Sequence, residues 1–207
     1  MLYDKKEYVK KECYLRPRNF YVRNIIRKQA RAIAEYIKEP VKSRQRIFGI
    51  DACSMEIGCR PETYATEYRY IRQTVKNRRT FSWYKNLNDN FKSWGMTYHV
   101  GEDFLDIIDG LRAVDEAVKF LELEKGGRLG HALVLGIAPQ EYYELKRFSV
   151  CLRKQDCLDN VIWLMFRALE LNVSISTNYR AEMENFALDI YVYMGRIRSK
   201  REKIIFC

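Results

Sequence analysis

From Asn19 to Lys38 the apolar residues Phe20, Val22, Ile25, Ile26, Ala30, Ile33, Ala34 and Ile37 recur at intervals of three and four, with arginines and lysines between them. This spacing predicts an amphipathic helix, stopped by Pro40 and the polar run Lys42-Ser43-Arg44-Gln45. The short apolar run from Arg46 to Asp51 predicts a buried strand ending in an acid. Pro61 opens a second helix over 61–78, because a proline in the first turn forfeits no hydrogen bond. After a polar, asparagine-rich stretch, Trp94 to His99 predicts the second strand. Asp103 to Glu122 carries the strongest helical stripe: Phe104, Ile107, Ile108, Leu111, Val114, Val118 and Leu121 share a face. Asp103 and Asp106 suit its positive end. Gly126-Gly127 closes that helix, and 128–134 predicts a third strand. Strands alternating with helices over short connections predict right-handed crossovers and a parallel sheet. Beyond Pro139 the alternation ceases: 140–154, 158–171 and 179–198 read as helices, with a break at 172–177. Lys203 to Cys207 reads as a fourth strand beginning.

These patterns divide the chain into a basic helical lead-in (1–45), an α/β segment (46–136) and a helical segment (137–207). With 207 residues, 47% hydrophobic and 31% charged, the chain can bury one sizeable core, and disorder is not expected. No apolar run reaches the length of a membrane span, and the N-terminus lacks the apolar core of a secretory leader. The six cysteines include no CxxC pair, so they read as reduced thiols of a cytoplasmic protein. The net charge of +10 is uneven: residues 1–46 carry +9, whereas 96–136 carry −4. A basic flank can attract nucleic acid, and Arg23, Arg27 and Arg31 on the first helix are its candidate contacts. The plainer reading is a solvated face, or a surface that docks on an acidic partner, because no aromatic-interleaved RNA-binding motif accompanies the charge.

The candidate chemistry centres on the only two histidines, His99 and His131. Each sits at the end of a short apolar or β-favouring run and is followed by glycine or small residues, the place where an α/β barrel exposes catalytic side chains. Imidazole binds zinc or moves protons near neutral pH, and a glutamate three residues on, Glu102, can act as general acid and base.

Three segments together carry a family resemblance. Gly49-Ile50-Asp51-Ala52-Cys53-Ser54-Met55-Glu56, His99-Val100-Gly101-Glu102 and Arg128-Leu129-Gly130-His131-Ala132 resemble, in order, the GID…E, HAGE and RxGHG strand ends of the adenosine deaminase family of zinc amidohydrolases. The flanks Glu56 to Glu62 and Gly101 to Asp106 look closer to a divergent branch of large deaminase-like proteins, including the deaminase subunit of an RNA-editing antiphage defence system. The resemblance covers roughly residues 20–140. It implies a partial (β/α)8 barrel of three to four parallel strands, followed by a helical insertion. It also implies zinc-dependent deamination of an adenine nucleoside or nucleotide. His99 would be the zinc ligand, Glu102 the proton shuttle to the purine N1, and His131 the group that holds the attacking hydroxide. Ser54 and Gly101 would border the substrate.

The departures are as informative. The family supplies an HxH pair to the metal from its first strand and two aspartates from its last, and neither follows the pattern here. Zinc takes three or four protein ligands, so the ligand set in this chain is incomplete. Ser54 stands where the family has glycine, which would narrow or re-aim the pocket. Two expectations follow: a piece of a longer or split deaminase, or a non-catalytic assembly module whose basic helix binds nucleic acid or an acidic partner. The expected partner is a second copy of the chain, as a homo-oligomer, or the remainder of a split or longer deaminase, and the substrate class is open among nucleoside, nucleotide and RNA.

Overall fold

The computed structural model describes residues 17–38, 49–53, 55–77, 94–123 and 126–206, with backbone alone for 194–206. The chain is mixed α/β. Among these residues are three strands, β1 (Gly49–Ala52), β2 (Gly95–Val100) and β3 (Arg128–His131). Six helices accompany them: α1 (Phe20–Lys38), α2 (Ala65–Asn77), α3 (Ile107–Phe120), α4 (Pro139–Leu145), α5 (Lys154–Glu170) and α6 (Thr177–Phe206). The strands form one parallel sheet in the order β1-β2-β3, as the alternation predicts. None of the described helices is long and apolar enough to cross a membrane.

The chain divides into two compact units, Met1–Val100 with Ala113–Ala132, and Gly101–Arg112 with Leu133–Cys207. In the first, period-two alternation buries Met96, Tyr98 and Val100 on one face of β2. Tyr98 meets Tyr64 and Tyr68 edge to face, with ring centroids 5.4 and 6.0 Å away. The Tyr68 hydroxyl donates to the Thr97 carbonyl at 2.7 Å, fastening α2 to β2. Ala30, Ala34 and Ile37, the small or apolar positions of the predicted α1 stripe, are buried. Asn19 fixes the start of α1 by donating to the Gly58 carbonyl and the Thr63 hydroxyl. Arg60 donates from Nε to Glu116 at 3.0 Å, tying the loop after β1 to α3. At Gly49 the two strands leave no room for a side chain: a Cβ there would lie 2.3 Å from the Gly95 carbonyl oxygen.

In the second unit, Tyr143 donates to the buried Asp106 carboxylate at 2.7 Å, and Tyr142 donates to the Leu105 carbonyl. These bonds explain why α3 begins at Ile107 and not at Asp103: the expected first turn is used to hold α4. Arg112 is buried within 3.7 Å of Asp109 and 3.6 Å of Asp159, a paired arrangement that burial of a guanidinium requires. Helix α6 packs along α5.

Three further boundaries differ from the periodicity. The helix expected over 140–154 ends at Leu145, because Arg147 and Phe148 both take φ of +52°. The third strand stops at His131, where φ turns positive. The strand expected over 203–207 is absent through Phe206: α6 continues to that residue. Residues 196–203 are rich in Arg and Lys, good helix formers, and extending an existing helix costs far less than starting new structure. The unpatterned residues 1–16 lie outside the described residues, as do 46–48 of the first expected strand.

Candidate functional site

The site is built at the carboxyl ends of the three strands of the first unit. The face of β2 opposite Tyr98 carries Thr97 and His99. Asp51 of β1 is in register with Thr97, so it shares that face. Its carboxylate lies 3.0 Å from His99 Nδ1. With Nδ1 held by a carboxylate, the ring is oriented and Nε2 is the nitrogen left to face a proton or a cation.

Gly130 of β3 is in register with His99, and the imidazole occupies the space beside its Cα. A Cβ on Gly130 would lie 2.7 Å from the His99 ring, so the glycine is what allows the ring its place. His131 is in register with the buried Val100, and a regular strand would carry its side chain to the same face as Val100. Instead φ is +59° at His131 and +48° at Ala132. Two consecutive non-glycine residues in the left-handed region cost on the order of 1–3 kcal/mol each. The Ala132 amide holds the turn by donating to the carbonyls of Val100 at 3.0 Å and Gly130 at 2.8 Å. The result sets the His131 ring centroid 4.9 Å from that of His99.

A recess of about 190 Å³, open to solvent, adjoins His99 and is lined by Ala52, Cys53, Met55, Glu56, Cys59, Tyr64 and Tyr98. Burial, with Cys59 beside it, pushes the Tyr64 hydroxyl up to about 12. Tyr68 and Tyr98 are raised further, chiefly by burial, so all three are neutral donors at physiological pH. The described cysteines 53, 59, 151 and 157 are free thiols.

The remaining expected residues are placed as follows. Glu102 is exposed, in the bend that follows β2. Gly101 has φ of +80° and accepts from the Val134 amide at 3.0 Å. Ser54 lies outside the described residues. Arg31 is exposed on α1. Arg27 lies 3.6 Å from Glu67, and Arg23 donates to the carbonyls of Arg18 and Glu62. Two of the three arginines proposed as nucleic-acid contacts therefore also brace the protein itself. Asp51 and Gly130 are the residues the sequence reading left without a role. An acid at the end of the first strand was visible, but nothing local paired it with a histidine 48 residues away.

Among the described residues no three His, Cys, Asp or Glu side chains are grouped so as to hold a metal ion. No protein-family model and no curated protein matches the chain.

Proposed function

We propose that this chain contributes part of a (β/α) barrel to a hydrolytic deaminase acting on an adenine nucleoside or nucleotide, as part of a larger or complemented enzyme. The observation that carries the reading is the convergence of Asp51, His99 and His131 at three adjacent strand ends, with His99 and His131 4.9 Å apart. The described residues do not by themselves amount to a zinc site, since no third ligand joins the two histidines. Any metal of such an enzyme would need ligands from beyond them, and no step is derived through it.

In this reading Asp51 accepts the Nδ1 proton of His99 and fixes its tautomer, leaving Nε2 as the working nitrogen. His131 orients the attacking water through its ring nitrogen. Glu102, two residues beyond β2 in sequence, is the carboxylate to which the family resemblance gives the proton transfer from that water to the purine N1. The strained turn at His131 is consistent with a side chain held for chemistry and not for packing.

The test offers adenosine, ATP and RNA to the protein purified from its own cells, with inosine read by mass spectrometry. Conversion of one of them is expected, falling by about 10²–10⁴-fold in Glu102→Gln with folding unchanged. Undiminished conversion in that variant, or no inosine from any of the three, sinks the reading.

A further inference from the structure

Two thiols are gathered beside His99 by the way the chain turns after β1. Gly58 takes φ of +84°, and the Cys59 amide donates to the Glu56 carbonyl at 3.1 Å. A glycine of positive φ at the third position of a four-residue turn is the mark of type II geometry, which reverses the chain. Cys53, one residue past β1, and Cys59 consequently line the same recess, together with His99. Both also bear on one hydroxyl. The Cys59 thiol donates to the Tyr64 oxygen at 3.9 Å, and both cysteines add to the rise in the Tyr64 pKa that burial causes first. Both are free thiols, Cys53 exposed and Cys59 half-buried. Five residues separate them, as five separate Cys151 from Cys157. Spacing alone therefore marks neither pair, and the turn and the shared recess single out the first.

We propose that Cys53 and Cys59 form a reversible dithiol site, oxidised to an intramolecular disulfide by low-molecular-weight disulfides of the glutathione class. The exposed Cys53, as thiolate, attacks one sulfur of the external disulfide. That S–S bond breaks, and one external thiolate leaves and takes up a proton. Cys59, as thiolate, then attacks the Cys53 sulfur of the mixed disulfide and releases the second external thiol. Two thiols of the chain are oxidised and one external disulfide is reduced to two thiols. In a reducing compartment such a bond is transient, as sensing disulfides there are. Closure ends the Cys59 donation to Tyr64, since the sulfur no longer carries a proton, and it reshapes the recess wall beside His99. This pairing does not require the reaction proposed above.

The full chain is equilibrated with graded ratios of oxidised to reduced glutathione, quenched in acid, alkylated and digested with trypsin. The Arg60–Pro61 bond resists trypsin, so one peptide, Ile47 to Arg69, holds Cys53 and Cys59 and no other cysteine. It is expected to lose two hydrogens and its reactivity to alkylation together, and to regain both with dithiothreitol. The equilibrium constant should exceed that of the urea-unfolded chain by on the order of tenfold or more, because the fold presets the approach. Two free thiols at every ratio, glutathione held separately on each cysteine, or an equal constant in the unfolded chain overturns the proposal. Cys59→Ser removes only the second sulfur and should accumulate glutathione on Cys53 as a stable mixed disulfide; no uptake at Cys53 overturns the proposal as well. The His99 nitrogen resonance is expected to move on closure, and an unmoved resonance rejects the effect on the recess.

Discussion

Gly130 and Asp51 act on His99 from opposite sides, and each makes a separable prediction. Gly130→Ala places a methyl group where the imidazole now rests, 2.7 Å from its ring. The ring must leave the Asp51 carboxylate or β3 must shift. The expected outcome is a changed His99 Nδ1 resonance in nitrogen NMR, with the fold retained; an unaltered resonance would mean that the strands separate freely to make room. Asp51→Asn keeps the volume and removes the charge, so the tautomer of His99 is no longer fixed. On the proposed reading, a loss of about 10–100-fold in deaminase turnover is expected, in line with removing a carboxylate that orients a working histidine. Tyr68→Phe keeps the ring packing and tests the hydrogen bond alone. It strands the Thr97 carbonyl, and a loss of about 1–2 kcal/mol in urea unfolding is expected.

The elements of the first unit are held by a small number of cross-links between otherwise modest apolar contacts. The strands have only four, six and four residues, too few to define a stable sheet alone, so α2 and α3 must cover the buried face of β2. Leu121, fully buried just beyond α3, is part of that cover, and Leu121→Ala is expected to cost about 2–5 kcal/mol. The Arg60–Glu116 pair sits with side chains only 8% and 17% exposed. Removing either partner leaves a charge out of water, so each single alanine variant is expected to cost about 3 kcal/mol. A double-mutant cycle should show strong coupling, and additive losses would mean that the pair does not act as a unit.

At the scale of the whole molecule, the tyrosines tie stability to pH. Burial raises Tyr64 to about 12 from an ordinary value near 10, and it raises Tyr68, Tyr98 and Tyr143 as well, the last also through its bond to Asp106. Above pH 10 the unfolded chain releases these protons while the folded protein keeps them. The stabilisation is therefore fully present below about pH 10 and is lost as pH rises towards 12. Absorbance of phenolate should show these four hydroxyls, among 15 tyrosines, ionising late and together with unfolding. Four titrations near pH 10 in the native protein would contradict the burial. The net charge of +10 adds a separate, long-range effect: non-specific association with nucleic acid should fall steeply with salt.

The sequence by itself determined the three strands and the segments that become helices, save for 203–206, where an expected strand is helix, and it determined that the strands run parallel. Those properties rest on local periodicity and on the length of the connections: α1, β2 and α2 lie within a few residues of where the pattern sets them. It also marked both histidines as strand-end residues. The ends of elements were decided by tertiary contacts. Asp106 and Leu105 serve α4 and not the first turn of α3, and the left-handed residues Arg147 and Phe148 end a helix whose sequence contains no breaker there. The arrangement of the site belongs to the tertiary structure for the same reason. The Asp51–His99 contact spans 48 residues, and His131 reaches His99 only because its backbone leaves the strand geometry that its sequence favours. Local pattern carries the side-chain period, whereas register between strands and a turn against the intrinsic preference of the chain exist only once the sheet has formed.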